Sequence, residues 1–381
     1  MDWSNYECEG QMSIFDCTND KEFEKYKKIK SNDWKWSFSD YPKEKNGIKV
    51  FSCFACGGGS TMGYKLAGCE VIGCCEIDPK MNEVYIKNHN PKYNFLMDIR
   101  EFNNTPNEEL PQELFDLDVL DGSPPCTTFS MAGEREESWG KKKKFREGQT
   151  EQTLDDLSFV FIETVNKLRP KTVIMENVEG LLLGNAWNYV QQIYKQFNDI
   201  GYNLHHWLLK GETMGVPQKR HRVFFVAIRE DLKIDPKNID MSFNYKPVHY
   251  GIFKTEEEKI ANGKMGLAIK QRLPGEKVDD VTYRIYGVRS GITHRIVELN
   301  EVYPTQTAGH ADIWTPSGNH PSDMDVIHAQ TFPEDYDFNG SKSEYICGMS
   351  VPPLMIKRIV NKLIEHGVYD YKINKLENDN E

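Results

Sequence analysis

The chain has 381 residues, of which 39% are hydrophobic and 12% aromatic, and its formal net charge is −11 at pH 7. This length and composition indicate a largely globular protein with a sizeable core, and two domains are the prior expectation. The negative charge argues against nucleic-acid binding over the whole surface, but it is compatible with a local basic cleft.

Compartment and metal content follow from what the sequence lacks. No apolar run reaches the length of a membrane span, and the first residues do not have the layout of a signal peptide. We therefore expect a soluble, cytoplasmic protein with no membrane partner. The nine cysteines are odd in number and do not suggest a disulfide framework. Cys53 and Cys56 have CxxC spacing, but no second ligand pair completes a zinc site, so no metal is predicted.

The first strongly patterned stretch predicts a nucleotide-binding α/β unit. Residues 48–54 have the character of a buried strand, and the glycine turn at 57–60 leads into a helix. A second strand at 71–75 ends in Glu76, and the next short strand is followed by Asp98. Glycine lets the backbone approach a ligand, and an acid at a strand end can accept ribose hydroxyls. The glycine spacing is not G-x-G-x-x-G, which disfavours a dinucleotide.

A cysteine follows the next predicted strand on a stiff turn. Val119 and Leu120 indicate the end of a buried strand, and Pro124 and Pro125 restrict the backbone before Cys126. Ligands bind at the carboxyl ends of such strands, so this thiol is a candidate nucleophile. A buried structural cysteine is the more common interpretation when the residue is taken alone.

A second polar pair ends another predicted strand. Residues 132–148 are predicted to form a loop with a basic centre, either a solvated loop or a lid over the nucleophile. A helix at 154–165 leads to a core strand at 172–175, which runs directly into Glu176 and Asn177. If this strand and the one before Cys126 are parallel neighbours, a carboxyl group faces the thiol across one cleft.

A helix at 187–197 then leads to a predicted hairpin made of strands 203–209 and 223–228. The turn between the strands is basic, and it is either an exposed surface feature or part of the cleft. Alternation along the entering strand places three polar side chains on one face, namely Gln218, Arg220 and Arg222.

The composition divides the chain into four parts. Residues 1–46 are a polar accessory segment with no assigned chemistry, and residues 47–229 are the predicted α/β catalytic domain. Residues 230–344 are irregular and rich in turn residues, which predicts a smaller β-rich domain. Residues 345–381 are predicted to supply a helix that returns to the catalytic domain, followed by a disordered tail.

Six motifs in order resemble the cytosine-C5 DNA methyltransferase family, especially its bacterial and phage modification enzymes. They lie at 124–126, 176–178, 215–223, 304–307, 330–336 and 348–353. The sequence departs from the usual family pattern in four places. Ser52 stands where an aspartate is usual, Cys56 where a glycine is usual and Met349 where an asparagine is usual, and residues 322–325 lack a usual basic residue. The last departure predicts weaker domain packing or DNA contact.

The resemblance implies a mostly parallel Rossmann-like methyltransferase sheet with helices on both faces and a small target-recognition domain. It also implies a monomer that transfers methyl from S-adenosylmethionine to C5 of a flipped-out cytosine in double-stranded DNA. Cys126 would attack C6, Glu176 would hold the base, Asn177 would brace the cysteine loop, and Arg222 would orient the base. Gln218 and Arg220 would support the cleft.

The resemblance also assigns binding residues. The cofactor would lie against Phe54, Gly58, Gly59, Glu76, Asp98, Pro124, Ser350 and Val351. The DNA would contact Lys141, Lys142, Lys143, Lys144, Arg146, Arg284, Arg289 and Arg295.

Three alternatives stay open at this point. The tRNA-methylating branch of the same fold shares these motifs. A catalytically silent DNA-binding regulator could keep the fold, although it would have no reason to retain Cys126, Glu176 and Arg222 together. An NAD oxidoreductase would fit the first α/β unit alone. A partner nuclease and the recognised DNA sequence do not follow from the sequence.

Overall fold

A computed structural model of the chain describes residues 32–125, 156–290, 294–309 and 313–370. The predicted nucleophile Cys126 and the basic loop after it lie outside these residues. So do the tail after 370 and most of the N-terminal segment. The side chain of Asn185 is also left undescribed.

The described residues contain one seven-stranded sheet with the order β3-β2-β1-β4-β5-β7-β6. Strands β1 to β5 pair in parallel, and β7 is antiparallel to both β5 and β6. The predicted hairpin is therefore confirmed, and it extends the parallel sheet at one edge. The strands are β1 (Lys49–Cys53), β2 (Glu70–Glu76), β3 (Tyr93–Leu96), β4 (Val119–Gly122), β5 (Thr172–Val178), β6 (Tyr202–Lys210) and β7 (His221–Arg229).

Helices cover both faces of the sheet, and the side chains of successive strand residues lie alternately in two cores. Val119 and Ile174 belong to one core, whereas Leu120 and Val173 belong to the other. Such alternating apolar side chains are expected for strands that are buried on both faces. The helices are α1 (Gly59–Leu66), α2 (Pro79–His89), α3 (Ile99–Asn104), α4 (Leu157–Leu168), α5 (Trp187–Asp199), α6 (Tyr250–Phe253), α7 (Lys264–Ile269), α8 (Val278–Tyr286), α9 (Asp323–Ala329), α10 (Ser343–Met349) and α11 (Pro353–Glu365).

The C-terminal helix α11 packs on α1 and so returns the chain to the sheet. It begins with a proline at its first turn, where no intrahelical partner for the amide is needed. Gly63 of α1 makes this approach possible, because a Cβ there would lie 2.4 Å from the carbonyl oxygen of Pro353. The predicted terminal helix is confirmed in both position and packing.

The stretch between 230 and 344 contributes to two cores. A small core of its own includes Ile269, Val281 and Trp314, and the segments on either side pack on the main sheet. Short strands accompany it, at Glu258–Lys259 (β8), Arg295–Ile296 (β9), Ile313–Trp314 (β10) and His320–Pro321 (β11). The domain boundaries given above stay predictions.

A buried carboxylate holds this stretch together at the place where the usual basic residue is missing. Asp325 is fully buried and accepts hydrogen bonds from the Tyr250 hydroxyl at 2.9 Å and the Thr255 amide at 2.7 Å. It also completes a capping box with Ser322 at the start of α9. An acid therefore makes cross-links at 322–325, and the expectation of weaker domain packing or DNA contact stays a prediction.

The last part of the N-terminal segment belongs to the main core. Trp34 and Trp36 are buried, and the indole of Trp36 donates to the carbonyl oxygen of Thr331 at 2.8 Å. The backbone amide of Phe38 donates to Asp335 at 3.0 Å. Residues 32–41 therefore form an arm that crosses the motif at 330–336.

Two features are absent from the described residues. None of the helices described is long and apolar enough to cross a membrane. No group of three or more His, Cys, Asp or Glu side chains that could hold a metal ion occurs there.

Candidate active site

A cavity of about 370 Å³ opens at the carboxyl ends of the parallel strands. This volume lies in the range of small-molecule sites, and the position is where open α/β sheets bind ligands. Among the predicted site residues, those that line the cavity are Phe54, Glu76, Asp98, Pro124, Glu176, Asn177, Arg220 and Arg222.

The glycine turn after β1 is held from behind by protein groups. The carbonyl oxygen of Gly57 accepts from the Tyr336 hydroxyl at 2.6 Å and lies 3.2 Å from Nε2 of His89. Burial lowers the pKa of His89 to about 3, so the imidazole is neutral and Nε2 carries the hydrogen that it donates. Phe54 and Cys56 both have positive φ, so the turn is tightly coiled on either side of Ala55.

The glycines at 58 and 59 are needed for packing against the protein itself. A Cβ on Gly58 would lie 2.0 Å from the His89 ring, and one on Gly59 would lie 2.4 Å from the carbonyl oxygen of Val351. Neither glycine is among the residues that line the cavity. Packing thus gives a structural reason for both glycines, and their contact with the cofactor stays a prediction. Ser350 and Val351 likewise reach Gly59, whereas Gly348 and Met349 line the cavity.

Glu76 connects the end of β2 to the glycine turn. One carboxylate oxygen accepts from the Cys56 amide at 2.7 Å and the other from the Asp78 amide at 2.8 Å. Burial raises the pKa of Glu76, and these amide donors oppose that shift. Asp98 lies at the start of α3, accepts from the Arg100 amide at 2.8 Å, and also lines the cavity.

Glu176 and Arg222 form the charged centre of the cavity. Nε of Arg222 lies 2.8 Å from a carboxylate oxygen of Glu176, and both side chains are largely buried. The antiparallel pairing of β5 with β7 places Val178 opposite Arg222 and so brings the two ends together. The amide of Asn177 donates to the carbonyl oxygen of Pro124 at 3.4 Å, the contact expected of a residue that braces this turn.

Arg220 and Gln218 differ in what they reach. Arg220 is buried, lines the cavity, and donates to the carbonyl oxygens of Gln306 and Gly348, both at 2.9 Å. Its Nε is buried without a hydrogen-bond partner among the described residues, so it is a donor that a ligand could satisfy. The hairpin turn is thus interior, and the interpretation as an exposed basic hairpin is wrong.

Gln218 lies behind the cavity. It precedes β7, so the strand alternation used to place it beside Arg220 does not apply. Its amide nitrogen donates to Gln330 at 2.9 Å, and its oxygen accepts from the Gln306 amide at 3.1 Å. The prediction that all three polar side chains share one face is wrong for this residue, which instead joins two of the family-like motifs.

Sequence reasoning missed several residues of the cavity wall. Residues 305–308, Tyr345 and Gly348 line it, as do Ile77 and Asp78 after β2. The motifs at 304–307 and 348–353 were the available signal, because both resemble family motifs and both include residues that line the cavity.

The predicted DNA-binding arginines lie around a second cleft. Arg289 and Arg295 line it together with Lys219 and Arg272. Arg289 pairs with Asp279 at 2.5 Å and stacks on Tyr283. Arg284 lies on α8 and pairs at 2.6 Å with Glu276, which lines the cleft. The loop cations lie outside the described residues, namely Lys141, Lys142, Lys143, Lys144 and Arg146.

Comparison with known proteins identifies relatives over most of the chain. M.FnuDI, a Type II methyltransferase of Fusobacterium nucleatum, is 35% identical over 187 residues, covering 49% of this chain and 48% of that protein. M.Sau96I, a Type II methyltransferase of Staphylococcus aureus, is 27% identical over 349 residues, covering 85% and 77% respectively. The chain thus spans about half the length of the first relative and three quarters of the second.

A solved structure shares the fold. The crystal structure of a Spodoptera frugiperda DNMT2 mutant superimposes with a TM-score of 0.60 at 16% identity, covering 84% of this chain and all of that one. The family model for the C-5 cytosine-specific DNA methylases matches residues 48–365. The chain therefore belongs to the C-5 cytosine-specific DNA methylase family, whose members methylate C5 of cytosine in DNA.

Proposed function

We propose that the protein methylates C5 of cytosine in double-stranded DNA with S-adenosylmethionine as the donor, through the cavity at the carboxyl ends of β2, β4 and β5. The observation that carries this proposal is the Glu176–Arg222 pair, which lies in the same cavity as Pro124 and Glu76. The pair proposed to bind the base and the acid proposed to bind the ribose, Glu76, therefore line the same cavity.

The residues of the cavity fit the donor. Glu76 and Asp98 offer carboxylate oxygens suited to ribose hydroxyls and an adenine edge, and Phe54 offers an aromatic face. Carboxylates nearby also suit a sulfonium cation. When bound, S-adenosylmethionine supplies an electrophilic methyl group. Gly58, Gly59, Ser350 and Val351 complete the proposed donor-binding set, and the packing of Gly59 against Val351 fixes the backbone there.

The base half of the cavity carries out the activation. Cytosine C5 is a poor nucleophile until a thiolate adds to C6, which is the step assigned to Cys126. Pro124 and Pro125 precede that residue, and the side-chain amide of Asn177 donates to the carbonyl oxygen of Pro124. Glu176 holds the exocyclic amine and N3 and supplies a proton at N3 during attack. Arg222 orients Glu176 and the base, and Arg220 orients the wall behind them.

The thiolate bonds to C6 as Glu176 protonates N3, and C5 would take the methyl group while S-adenosylhomocysteine leaves. A base then removes the C5 proton, the bond between C6 and sulfur breaks to release the Cys126 thiolate, and N3 returns its proton to Glu176. A cytosine inside a duplex cannot reach such a cavity, so the base must be extruded. The second cleft, with Arg289 and Arg295, is the proposed contact with flanking duplex, where arginines can read guanine edges.

Incubation with S-adenosylmethionine labelled in its methyl group tests the proposal. We expect label in duplex DNA at C5 of cytosine, mapped by bisulfite sequencing, and none in tRNA. Label in tRNA but not in DNA would transfer the assignment to the other branch of the fold. Cys126→Ser should abolish turnover, and a variant as active as the wild type would remove Cys126 from the mechanism.

A further inference from the structure

One buried carboxylate joins the two halves of the cavity from outside it. Asp121 lies in β4, is 2% exposed, and is not part of the cavity wall. One of its oxygens accepts from the hydroxyls of Ser52 at 2.7 Å and Ser60 at 2.6 Å. The other oxygen accepts from the Tyr64 hydroxyl at 3.2 Å. Three neutral donors therefore converge on a single acid.

The three donors come from the elements that build the donor half of the cavity. Ser52 is the second-last residue of β1, before the glycine turn, and Ser60 and Tyr64 lie in α1 after it. Asp121 instead belongs to the strand that continues through Gly122 into Pro124 and Pro125. The acid thus connects the turn that shapes the donor wall to the strand that delivers the cysteine loop.

The position of the acid explains the departure at Ser52. Ser52 and Asp121 are direct partners in the parallel pairing of β1 with β4, so their side chains are neighbours on one face of the sheet. A serine thus stands where the family pattern that this sequence resembles has aspartate, and an aspartate stands beside it on the neighbouring strand. The cross-strand pair keeps one carboxylate, which is now carried by the other strand.

We propose that Asp121 is a positioning residue for methyl transfer, whose carboxylate supplies from β4 the anchor that an acid at position 52 would supply from β1. It sets the glycine turn and the Pro124–Pro125 turn at the spacing that donor and base require. Hydrogen bonds to a charged acceptor are strong and directional, so three of them define one arrangement of β1, α1 and β4. This inference rests on the proposed function, because its readouts are donor binding and methyl transfer.

A transposition of the pair is the sharpest test. Asp121→Ser should weaken S-adenosylmethionine binding about tenfold, comparable to one lost hydrogen bond to a charged group. The double variant Ser52→Asp with Asp121→Ser keeps the composition and returns a carboxylate to the same pair. It should restore the dissociation constant and the single-turnover methylation rate to within about threefold of wild type.

Milder variants keep the test valid if Asp121→Ser does not fold. Ser60→Ala removes one donor to the acid and should weaken binding about threefold. Thr61→Val is the matched control, because it removes a neighbouring buried hydroxyl of α1 that bonds to Tyr85 and not to Asp121. It should lower the thermal midpoint while leaving the dissociation constant unchanged.

The outcomes separate this inference from the proposed function. Wild-type protein that neither binds S-adenosylmethionine nor methylates DNA would contradict the proposed function. If the wild type is active but the Ser60→Ala and Asp121→Ser variants each bind the donor as tightly as the wild type, the proposed role of Asp121 is overturned. A folded double variant no better than Asp121→Ser would also overturn it, whereas rescue supports it.

Discussion

The site depends on a few buried polar residues whose side chains reach across the chain. Glu76, Asp121 and Arg220 are each almost inaccessible, and each bonds to groups far away in sequence. Burial of such groups is costly unless their hydrogen bonds are made, so they are found where an arrangement must be defined rather than merely stable. Function and stability should therefore respond differently when one of them is replaced.

Asp121→Asn is predicted to show this difference as a function of pH. Burial raises the pKa of Asp121 to about 6 from the usual 3.8, against the effect of its hydroxyl donors and with a contribution from Glu176. The contribution of Asp121 to the free energy of unfolding is therefore fully present below the pKa that this carboxyl has in the unfolded chain. It is lost as the pH rises through about 6. Between about pH 4 and pH 7 the wild type should lose roughly 2 kcal/mol relative to Asp121→Asn.

Urea unfolding of both proteins across this pH range measures the difference. The variant should become relatively more stable with rising pH while binding S-adenosylmethionine more weakly at neutral pH. A difference in unfolding free energy that does not change with pH would show that Asp121 is not held in a desolvating environment.

Glu176→Gln is predicted to separate chemistry from donor binding. The amide keeps the shape of the side chain but cannot supply the proton at N3, so the methylation rate should fall by about 10²–10⁴-fold. Donor affinity without DNA should change little, because Glu76 and Asp98 lie in the other half of the cavity. Glu179→Gln is the matched control, since that side chain is partly exposed and its carboxylate lies 3.4 Å from Nδ1 of His221, and it is not among the residues that line the cavity.

Single-turnover assays with saturating donor distinguish the two variants. If Glu179→Gln slowed transfer as much as Glu176→Gln, the effect would reflect general loss of charge at the end of β5 and not a specific proton donor.

At the scale of elements, the glycine turn is defined by two separate constraints. Gly58 has a φ of 81° and no space for a Cβ beside His89. Gly275 has a φ of 83° but nothing within 4 Å of the Cβ position. The two positions therefore share a left-handed backbone conformation and differ in the space around the Cβ position, which makes them a matched pair.

Gly58→Ala is predicted to destabilise the protein by roughly 2–4 kcal/mol, the sum of left-handed strain and overpacking. Gly275→Ala should cost only the strain, about 1–2 kcal/mol. Adding His89→Ala to Gly58→Ala should recover part of the difference by removing the ring that the new Cβ meets. Urea unfolding measures all three, and equal losses at the two glycines would contradict the steric argument.

Much of the fold could be predicted from the sequence because its strands and helices are strongly patterned. The buried strands before Glu76 and Glu176, the hairpin and the terminal helix all follow from apolar periodicity and turn residues. Periodicity has no information on what lies behind a turn, so the packing role of Gly58 and the position of Gln218 were not predictable. The role of Asp121 was also missed, because a single acid in a strand has no local signature.

The N-terminal arm illustrates the same limit. Residues 32–41 are polar and lack periodicity, so they indicated an accessory segment. Their two tryptophans are nevertheless buried, and Phe38 packs on Tyr336 and His89, which both hold Gly57. The arm precedes the region that matches the family and packs behind the glycine turn. Only the tertiary partner gives this segment its structure.

At the scale of the whole molecule, the cations must be organised, because the chain carries a net charge of −11. The second cleft contains Arg272, Arg289 and Arg295, but acids also line it, including Asp279 and Glu298. Two of the arginines are ion-paired with these acids, Arg272 with Glu298 and Arg289 with Asp279. DNA binding at this cleft would exchange a carboxylate partner for a phosphate, so each contact should yield less affinity than an unpaired cation would.

Arg289→Ala is predicted to measure that exchange. If Arg289 contacts a phosphate, its loss should weaken binding to any duplex and reduce the magnitude of the slope of log affinity against log salt by about 1. Lys195→Ala is the matched control, because Lys195 also pairs with an exposed acid, Asp199, at 2.6 Å but lies on α5 outside the cleft. It should leave the slope unchanged.

Titration of labelled duplex at several salt concentrations distinguishes the outcomes, and equal slopes for wild type and Arg289→Ala would place this arginine outside the DNA contact. The same substitution can also be made in the Asp279→Asn background. If the Asp279 carboxylate competes with the phosphate, Arg289→Ala should cost more affinity in that background than in the wild type.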